Sequence, residues 1–315
     1  MTVKPFEITR QVLTAPFNRL ARLGPGIALV TGAISGWALH KIRAGGRLGT
    51  SFLWQTNLLE PIHPTTEIMR QYHSYLHAEI NEEMYEYDDM FVKGHLEHYL
   101  SVGQSAMKII VSSMILAEKT QINSVLDLPC GGGRVTRHFV ALFPDSRIYV
   151  SDINKSKEDF VVRTFGATQI NVSDDFASAP EQEFDLIFVG SLVTHFDVEY
   201  FKNSMNWFIK ALAPNGLLVV TTHGRRAAHI QAGLFRSVGW ETMLDDYEKS
   251  GFGHKLLGDP SGQYGKTPYG GSLSAPSWVM HLSERIPDIR ILGFQEGAWD
   301  DHQDVLVLQK RSLFC

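Results

Sequence analysis

The sequence predicts an α/β fold: a doubly wound, mostly parallel sheet with one antiparallel strand near the C-terminus, preceded by a helical N-terminal extension. Three observations predict it. Short apolar runs alternate with amphipathic helical stretches from residue 124 onward. The first of these runs leads into three consecutive glycines, Gly131–Gly133. The last two runs stand only ten residues apart, and a parallel crossover usually needs a dozen or more.

Taken in order, Met107, Ile110, Val111, Met114 and Ile115 recur at helical spacing and predict an amphipathic helix. It runs into the first strand, Ser124–Leu128. Arg147–Ser151 reads as a second strand, Thr168–Val172 as a third and Phe184–Gly190 as a fourth. Between the fourth and fifth strands, Tyr200–Leu212 reads as a helix, with Phe201, Met205, Phe208, Ile209 and Leu212 on one side. Pro214, Asn215 and Gly216 form a turn signal, and Gly216–Thr221 reads as the fifth strand. Ile289–Phe294 and Val305–Gln309 complete the set, joined by the turn-like stretch Gln295–Gln303. Apolar strands separated by helices imply a sheet covered on both faces.

These elements divide the 315 residues into an N-terminal extension over 1–100 and an α/β domain over 101–311. The long stretch 226–288 is an insertion on the acceptor side, far beyond a usual connection of a few residues. Its portion Gly251–Gly271, rich in Gly and with Tyr264 and Tyr269, reads as a loop. In the extension, Tyr85, Tyr87 and Met90 are expected to close over a ligand as a lid.

With 44% apolar and 20% charged residues the chain is neither disordered nor fibrous, and its net charge of −5 argues against a nucleic-acid partner. That mean conceals an asymmetry. Residues 1–50 carry seven basic residues against Glu7, whereas 51–105 carry nine acids against Arg70 and Lys93. The two segments can pair within one chain or across a homodimer, or the basic head can make peripheral contact with an anionic membrane. Leu23–Leu39 is uncharged but interrupted by Gly24, Pro25, Gly26, Gly32 and Gly36, which reads as an ordinary folded segment rather than a membrane span. Two cysteines, Cys130 and Cys315, form no disulfide framework and fit a reducing, cytoplasmic compartment. His73 and His77 share a helix face, yet no third ligand stands at a telling distance, so no metal is expected.

The glycine-rich turn carries the chemistry. A strand that ends in glycines and turns into a helix exposes backbone N–H groups to a ligand. Arg134 and Val135 stand where a phosphate-binding loop needs Lys and Ser or Thr. Thr136 stands where the dinucleotide fingerprint needs its third glycine, which disfavours a nicotinamide-dependent oxidoreductase. Asp127, inside the first strand, suits a ligand bearing positive charge. Asp152, at the end of the second strand and nineteen residues beyond Gly133, stands where a carboxylate accepts hydrogen bonds from a ribose diol.

This constellation resembles the class I S-adenosylmethionine-dependent methyltransferases, which have a Rossmann-like sheet. Asp127, Gly131 and Gly133 match their first motif, while Pro129 replaces its first glycine. A bacterial subgroup with a Leu-Asp-Leu-Pro-Cys-Gly-x-Gly-Arg loop looks closer still. It shares Gly190, Ser191, Leu192, Thr194 and His195, and an ending with Trp299, His302, Gln303 and Asp304. The resemblance covers about residues 85–311. It implies that Asp127 and the loop Pro129, Cys130, Gly131, Gly133 and Arg134 hold the methionine moiety of S-adenosyl-L-methionine. It further implies that Asp152 holds the ribose, and that Asp174 and Asp175 approach the adenine amino group, with Phe176 or Ile153 on the ring. Gly190 and Ser191 would line the floor beneath the sulfonium.

Ligands of parallel α/β sheets bind at the carboxyl ends of the strands, and three histidines fall there. His195 follows strand four, His223 follows strand five and His302 stands in the last turn. A hydroxyl acceptor must lose a proton, for which His has a suitable pKa, so His195 is the first candidate base and His223 and His302 the next. Trp299 reads either as an acceptor-stacking platform or as core. The sequence therefore predicts O-methylation of a small molecule or glycan. Two alternatives stay open: a protein that binds S-adenosylmethionine without catalysis, and a methyltransferase acting on protein or nucleic acid. No Asn/Asp-Pro-Pro-Tyr/Phe sequence follows strand four, which weakens the case for a base- or amide-nitrogen acceptor.

Overall fold

The structure, a computed structural model, describes residues 63–237, 239–257 and 269–311. The basic head, Leu23–Leu39, Tyr264 and Cys315 lie outside the described residues. The described chain begins with helix α1 (Pro64–Leu76), whose first turn is capped by the His63 side chain accepting from Thr65 N at 3.3 Å. An irregular stretch leads to helix α2 (Leu96–Ala117), which ends at Glu118 in the left-handed conformation. Its predicted apolar face is real, for Met107, Ile110, Val111 and Met114 are buried.

Strands and helices then alternate: β1 (Ser124–Asp127), α3 (Thr136–Leu142), β2 (Arg147–Val150), α4 (Lys155–Phe165), β3 (Thr168–Gln169) and β4 (Phe184–Val189). After a short 3-10 turn at Val193–His195 come α5 (Val198–Ala211), β5 (Leu212–Thr222), α6 (Arg225–Ser237) and α7 (Glu241–Ser250). The chain closes with β6 (Phe252–Leu256), β7 (Gly270–Ser274), α8 (Pro276–Ser283), β8 (Ile289–Trp299) and β9 (Gln303–Lys310). Seven strands form one sheet in the order β3-β2-β1-β4-β5-β9-β8. Strands β1 to β5 pair in parallel, and β9 lies antiparallel between β5 and β8. The reversed strand is the one that the short final connection requires. Apolar side chains fill both faces: Val125, Phe139 and Phe188 join one cluster with α2, and Leu126, Ile187 and Phe208 the other.

Four element boundaries differ from the sequence expectation. β3 is only two residues long, because Thr168 and Gln169 lie at the exposed sheet edge. β5 begins at Leu212, ahead of the Pro214–Gly216 turn signal, which sits where the register against β4 shifts. β8 continues to Trp299, so the last turn is reduced to residues 300–302, with Asp300 and Asp301 in the left-handed region. Within the insertion, Gly251–Gly271 is not simply a loop: β6 and β7 form a two-stranded antiparallel ribbon. Its glycines give no periodic signal, yet they are there for packing. A side chain on Gly253 would collide with the Met243 carbonyl on α7.

Candidate active site

A cavity of about 540 Å³ opens at the carboxyl ends of β1, β2 and β4. Of the residues expected to bind a cofactor, Asp127, Pro129, Cys130, Gly131, Arg134, Asp152, Ile153, Asp174, Phe176, Gly190 and Ser191 line it. Two do not. Gly133, at φ +80°, packs instead under α4, and a side chain there would run into the Phe165 ring. Asp175 turns its carboxylate back to accept from Ala177 N at 3.0 Å. The pair Asp174 and Asp175 therefore contributes one member to the cavity, because the chain turns at Phe176 (φ +55°). The Phe176 ring packs on Phe196, Trp207 and Phe208, whereas Ile153 is 44% exposed at the cavity wall.

The two acids of the glycine turn are both buried. Asp152 accepts from Gly131 N and from Asn154 N, each at 2.8 Å, so it fixes the loop as well as facing the cavity. Burial raises its pKa, against those two bonds and nearby Lys157. Asp127 accepts from the Thr136 hydroxyl at 2.6 Å. Burial pushes Asp127 up to about 7, with Asp152 adding to the rise. Ser151 O accepts from Cys130 N at 3.1 Å, and burial pushes the Cys130 thiol up, which makes it a wall rather than a nucleophile.

The floor is held by a buried network. Ser191, at φ +59°, donates its N–H to Thr221 Oγ1 at 2.8 Å. Thr221 donates in turn to Gln303 Oε1 at 2.6 Å, and Gln303 Nε2 donates to Ser191 Oγ at 3.0 Å. Thus β5 and the start of β9 set the position of a residue after β4. Trp299 belongs to the core: its indole N–H donates to Val102 O at 3.1 Å and its ring meets Phe188 edge-on at 5.5 Å. That ring also reaches the cavity wall.

Only one of the three candidate histidines lines the cavity. His195 closes the turn after β4, and its Nδ1 lies 2.7 Å from Gly270 O. A carbonyl oxygen only accepts, so Nδ1 carries the proton and Nε2 is left as a base. The ring stacks on Tyr269 at 4.5 Å, and burial lowers its pKa below the ordinary 6.5. His223 and His302 instead lean on each other, with ring centroids 5.0 Å apart. Burial, with His302 and His195 nearby, pushes His223 down to about 3. His302 Nε2 lies 3.0 Å from the Gln231 amide nitrogen, a donor. The sheet brings the three segments together as expected; of the three candidate rings His195 lines the cavity, whereas those of His223 and His302 pair with each other and are not among its lining residues.

Sequence reasoning missed several residues at or beside the site. Asp88 lines the cavity from the stretch before α2, and Arg137 is a fully buried cation on α3. No local signal marks Arg137, which stands beside Thr136 and His138 at the start of α3. The lid residues divide: Met90 lines the cavity, the Tyr85 ring packs on Phe160 at 5.6 Å, and Tyr87 is 72% exposed. No cluster of three or more His, Cys, Asp or Glu suited to a metal exists among the described residues, and His73 and His77 merely meet edge-on at 4.6 Å.

Residues 98–252 match a family model described as a methyltransferase domain. Among solved structures, the chain is similar to an O-methyltransferase family protein from Burkholderia thailandensis (11% identity, TM-score 0.43, 79% of this chain and 72% of that one). It is also similar to the N-methyltransferase NodS from Bradyrhizobium japonicum with bound S-adenosyl-L-homocysteine (13%, 0.42, 78% and 99%). A third is an S-adenosylmethionine-dependent methyltransferase from Clostridium acetobutylicum (11%, 0.46, 78% and 99%). No curated protein matches significantly.

Proposed function

From the premise that the chain carries a class I S-adenosylmethionine-dependent methyltransferase domain, we propose that it methylates a hydroxyl oxygen of a small neutral molecule or glycan, with His195 as the base. We read the chain as an S-adenosylmethionine-dependent methyltransferase, EC 2.1.1, a reading supported by the match of residues 98–252 to a methyltransferase-domain model. One observation carries the finer reading: a neutral imidazole, fixed by Gly270 O and stacked on Tyr269, lines the same cavity as the glycine loop. Methyl transfer from a sulfonium is a direct displacement with a good leaving group. The protein's part is to align acceptor, methyl and sulfur, worth several kcal/mol, and to take the hydroxyl proton. A half-buried His195, its ring stacked on Tyr269, does the second. Transfer of labelled methyl to a panel of sugars and phenols tests this. The expected result is a labelled ether; label found only on amines or carboxylates contradicts it.

Acids outnumber bases around the cavity, with Asp88, Asp89, Asp127, Asp152 and Asp174 against Arg134, Lys155 and Lys157. That balance supports a cationic cofactor. It also has a pH signature. Because burial raises Asp127 to about 7, a fraction of the empty protein carries a proton there near neutral pH, and a sulfonium nearby favours the carboxylate. Binding of S-adenosylmethionine near pH 6.5 is therefore expected to release a proton, and its affinity to rise as pH approaches 7. S-adenosylhomocysteine, with a neutral sulfur, is expected to release less. Calorimetry in two buffers of different ionisation enthalpy counts these protons; equal counts for both ligands would contradict the assignment.

A further inference from the structure

We propose that Ser191 selects an oxygen acceptor: its hydroxyl proton, left uncommitted by a hydrogen-bonded ring with Thr221 and Gln303, binds the oxygen that is methylated. The inference rests on the reading of this cavity as a site of O-methylation with His195 as base. It makes Thr221 and Gln303 positioning residues.

Ser191 stands at φ +59°, in the left-handed region where glycine fits more readily. A side chain kept in such a position points to a use for it. Its backbone is pinned twice, for its N–H donates to Thr221 Oγ1 at 2.8 Å and its carbonyl accepts from Thr194 Oγ1 at 2.9 Å. His195 N donates to Leu192 O at 3.1 Å, and Ser272 Oγ donates to Val193 O at 3.1 Å from β7. Ser191 and the base thus belong to one internally bonded turn, and both line the cavity.

The protons decide what the Ser191 hydroxyl can do. Thr221 gives its only hydroxyl proton to Gln303 Oε1 at 2.6 Å. The opposite amide orientation would leave that proton without an acceptor in a fully buried residue. The other end of the amide, Nε2, lies 3.0 Å from Ser191 Oγ and can only donate, so it fills one lone pair of that oxygen. Thr194 has given its proton to the Ser191 carbonyl. Its Oγ1 lies 3.5 Å from Ser191 Oγ, beyond the usual reach of about 2.5–3.0 Å for a hydroxyl donor. The Ser191 proton is therefore available at the cavity wall, on the same turn as the imidazole that accepts one.

A hydroxyl acceptor matches this pair. Its proton passes to His195 Nε2, a C–O bond forms as the C–S bond breaks, and Ser191 keeps its own proton while steadying the charge that develops on oxygen. An amine has a single lone pair, spends it on the methyl carbon and has none left for Ser191. The turn after β4 thus favours oxygen over nitrogen.

Transfer of labelled methyl to the panel of sugars and phenols, with calorimetry of S-adenosylhomocysteine, tests this. Ser191→Ala is expected to lower kcat/KM for the hydroxyl acceptors about tenfold or more and to leave S-adenosylhomocysteine affinity unchanged. Gln303→Glu gives the sharper signature. The neutral acid can donate to Ser191 as the amide does, whereas the carboxylate takes the Ser191 proton for itself. Activity of this variant is expected to fall as pH rises through the pKa of the new acid, which burial raises. That limb is expected to be absent from wild type and from Ser191→Ala combined with Gln303→Glu. Unchanged turnover in Ser191→Ala overturns the proposal, as does a Gln303→Glu profile parallel to wild type. Weakened S-adenosylhomocysteine binding in Ser191→Ala also overturns it, by placing the hydroxyl on the cofactor. A wild type that labels no hydroxyl of the panel overturns the O-methylation reading itself, and this assignment with it.

Discussion

Replacing Arg137 by methionine is expected to lower stability by roughly 2–4 kcal/mol, far beyond the ±0.5 kcal/mol usual for a surface position. Methionine keeps much of the volume but removes every donor. The Asn81 and Glu83 carbonyls then lose their partners, at about 1–3 kcal/mol for each group kept from water. Both residues are exposed, so water recovers part of that cost. The cation also leaves the Tyr99 and Phe165 rings, now 5.2 and 4.9 Å from the guanidinium carbon, each contact contributing about 0.5–2 kcal/mol. Thermal melting checks this, and a loss of roughly 5–15 °C is expected for a domain of this size. A shift of a degree or less would mean that Arg137 does not hold the stretch before α2. Because Asp88 hangs from that stretch, cofactor affinity is expected to fall in the same variant.

Replacing His195 by alanine is expected to reduce turnover by about 10²- to 10⁴-fold, the range of a general base, with little change in cofactor affinity. The pH profile carries the sharper information. A base works deprotonated, and burial disfavours the imidazolium, so its pKa lies below 6.5. The acid limb of kcat/KM is therefore expected below pH 6.5 in wild type and absent in the variant. A variant that retains turnover, or a limb above pH 6.5, would remove His195 from that role. His223→Ala is expected to act through packing, since its ring leans on His302 and not on the cavity.

Much of the site was legible because it is local. A strand ending in Asp127, a glycine turn and an acid at the next strand end are separated by spacings that the fold itself dictates. The reversed strand was legible from ten residues of connection. What was not legible depends on tertiary placement. Arg137 reads as an ordinary helical cation until the Asn81 and Glu83 carbonyls arrive from a stretch more than fifty residues upstream. Asp88 reads as one acid among many. The directions of the His223 and His302 rings follow from contact with each other and with Gln231, which no period in the sequence encodes. The β6–β7 ribbon was hidden because its glycines answer to tertiary neighbours, Gly253 to Met243 on α7 and Gly271 to Trp240, rather than to strand propensity.

The claim that joins these observations is that the cavity at the ends of β1 and β2 holds S-adenosylmethionine, with Asp152 reaching the ribose. Calorimetry of wild type and Asp152→Ala with S-adenosylmethionine tests it most directly. Loss of a charged hydrogen bond is worth about 1.5–3 kcal/mol, so the variant is expected to bind about 10- to 100-fold more weakly. Equal affinity in the two proteins would contradict the account.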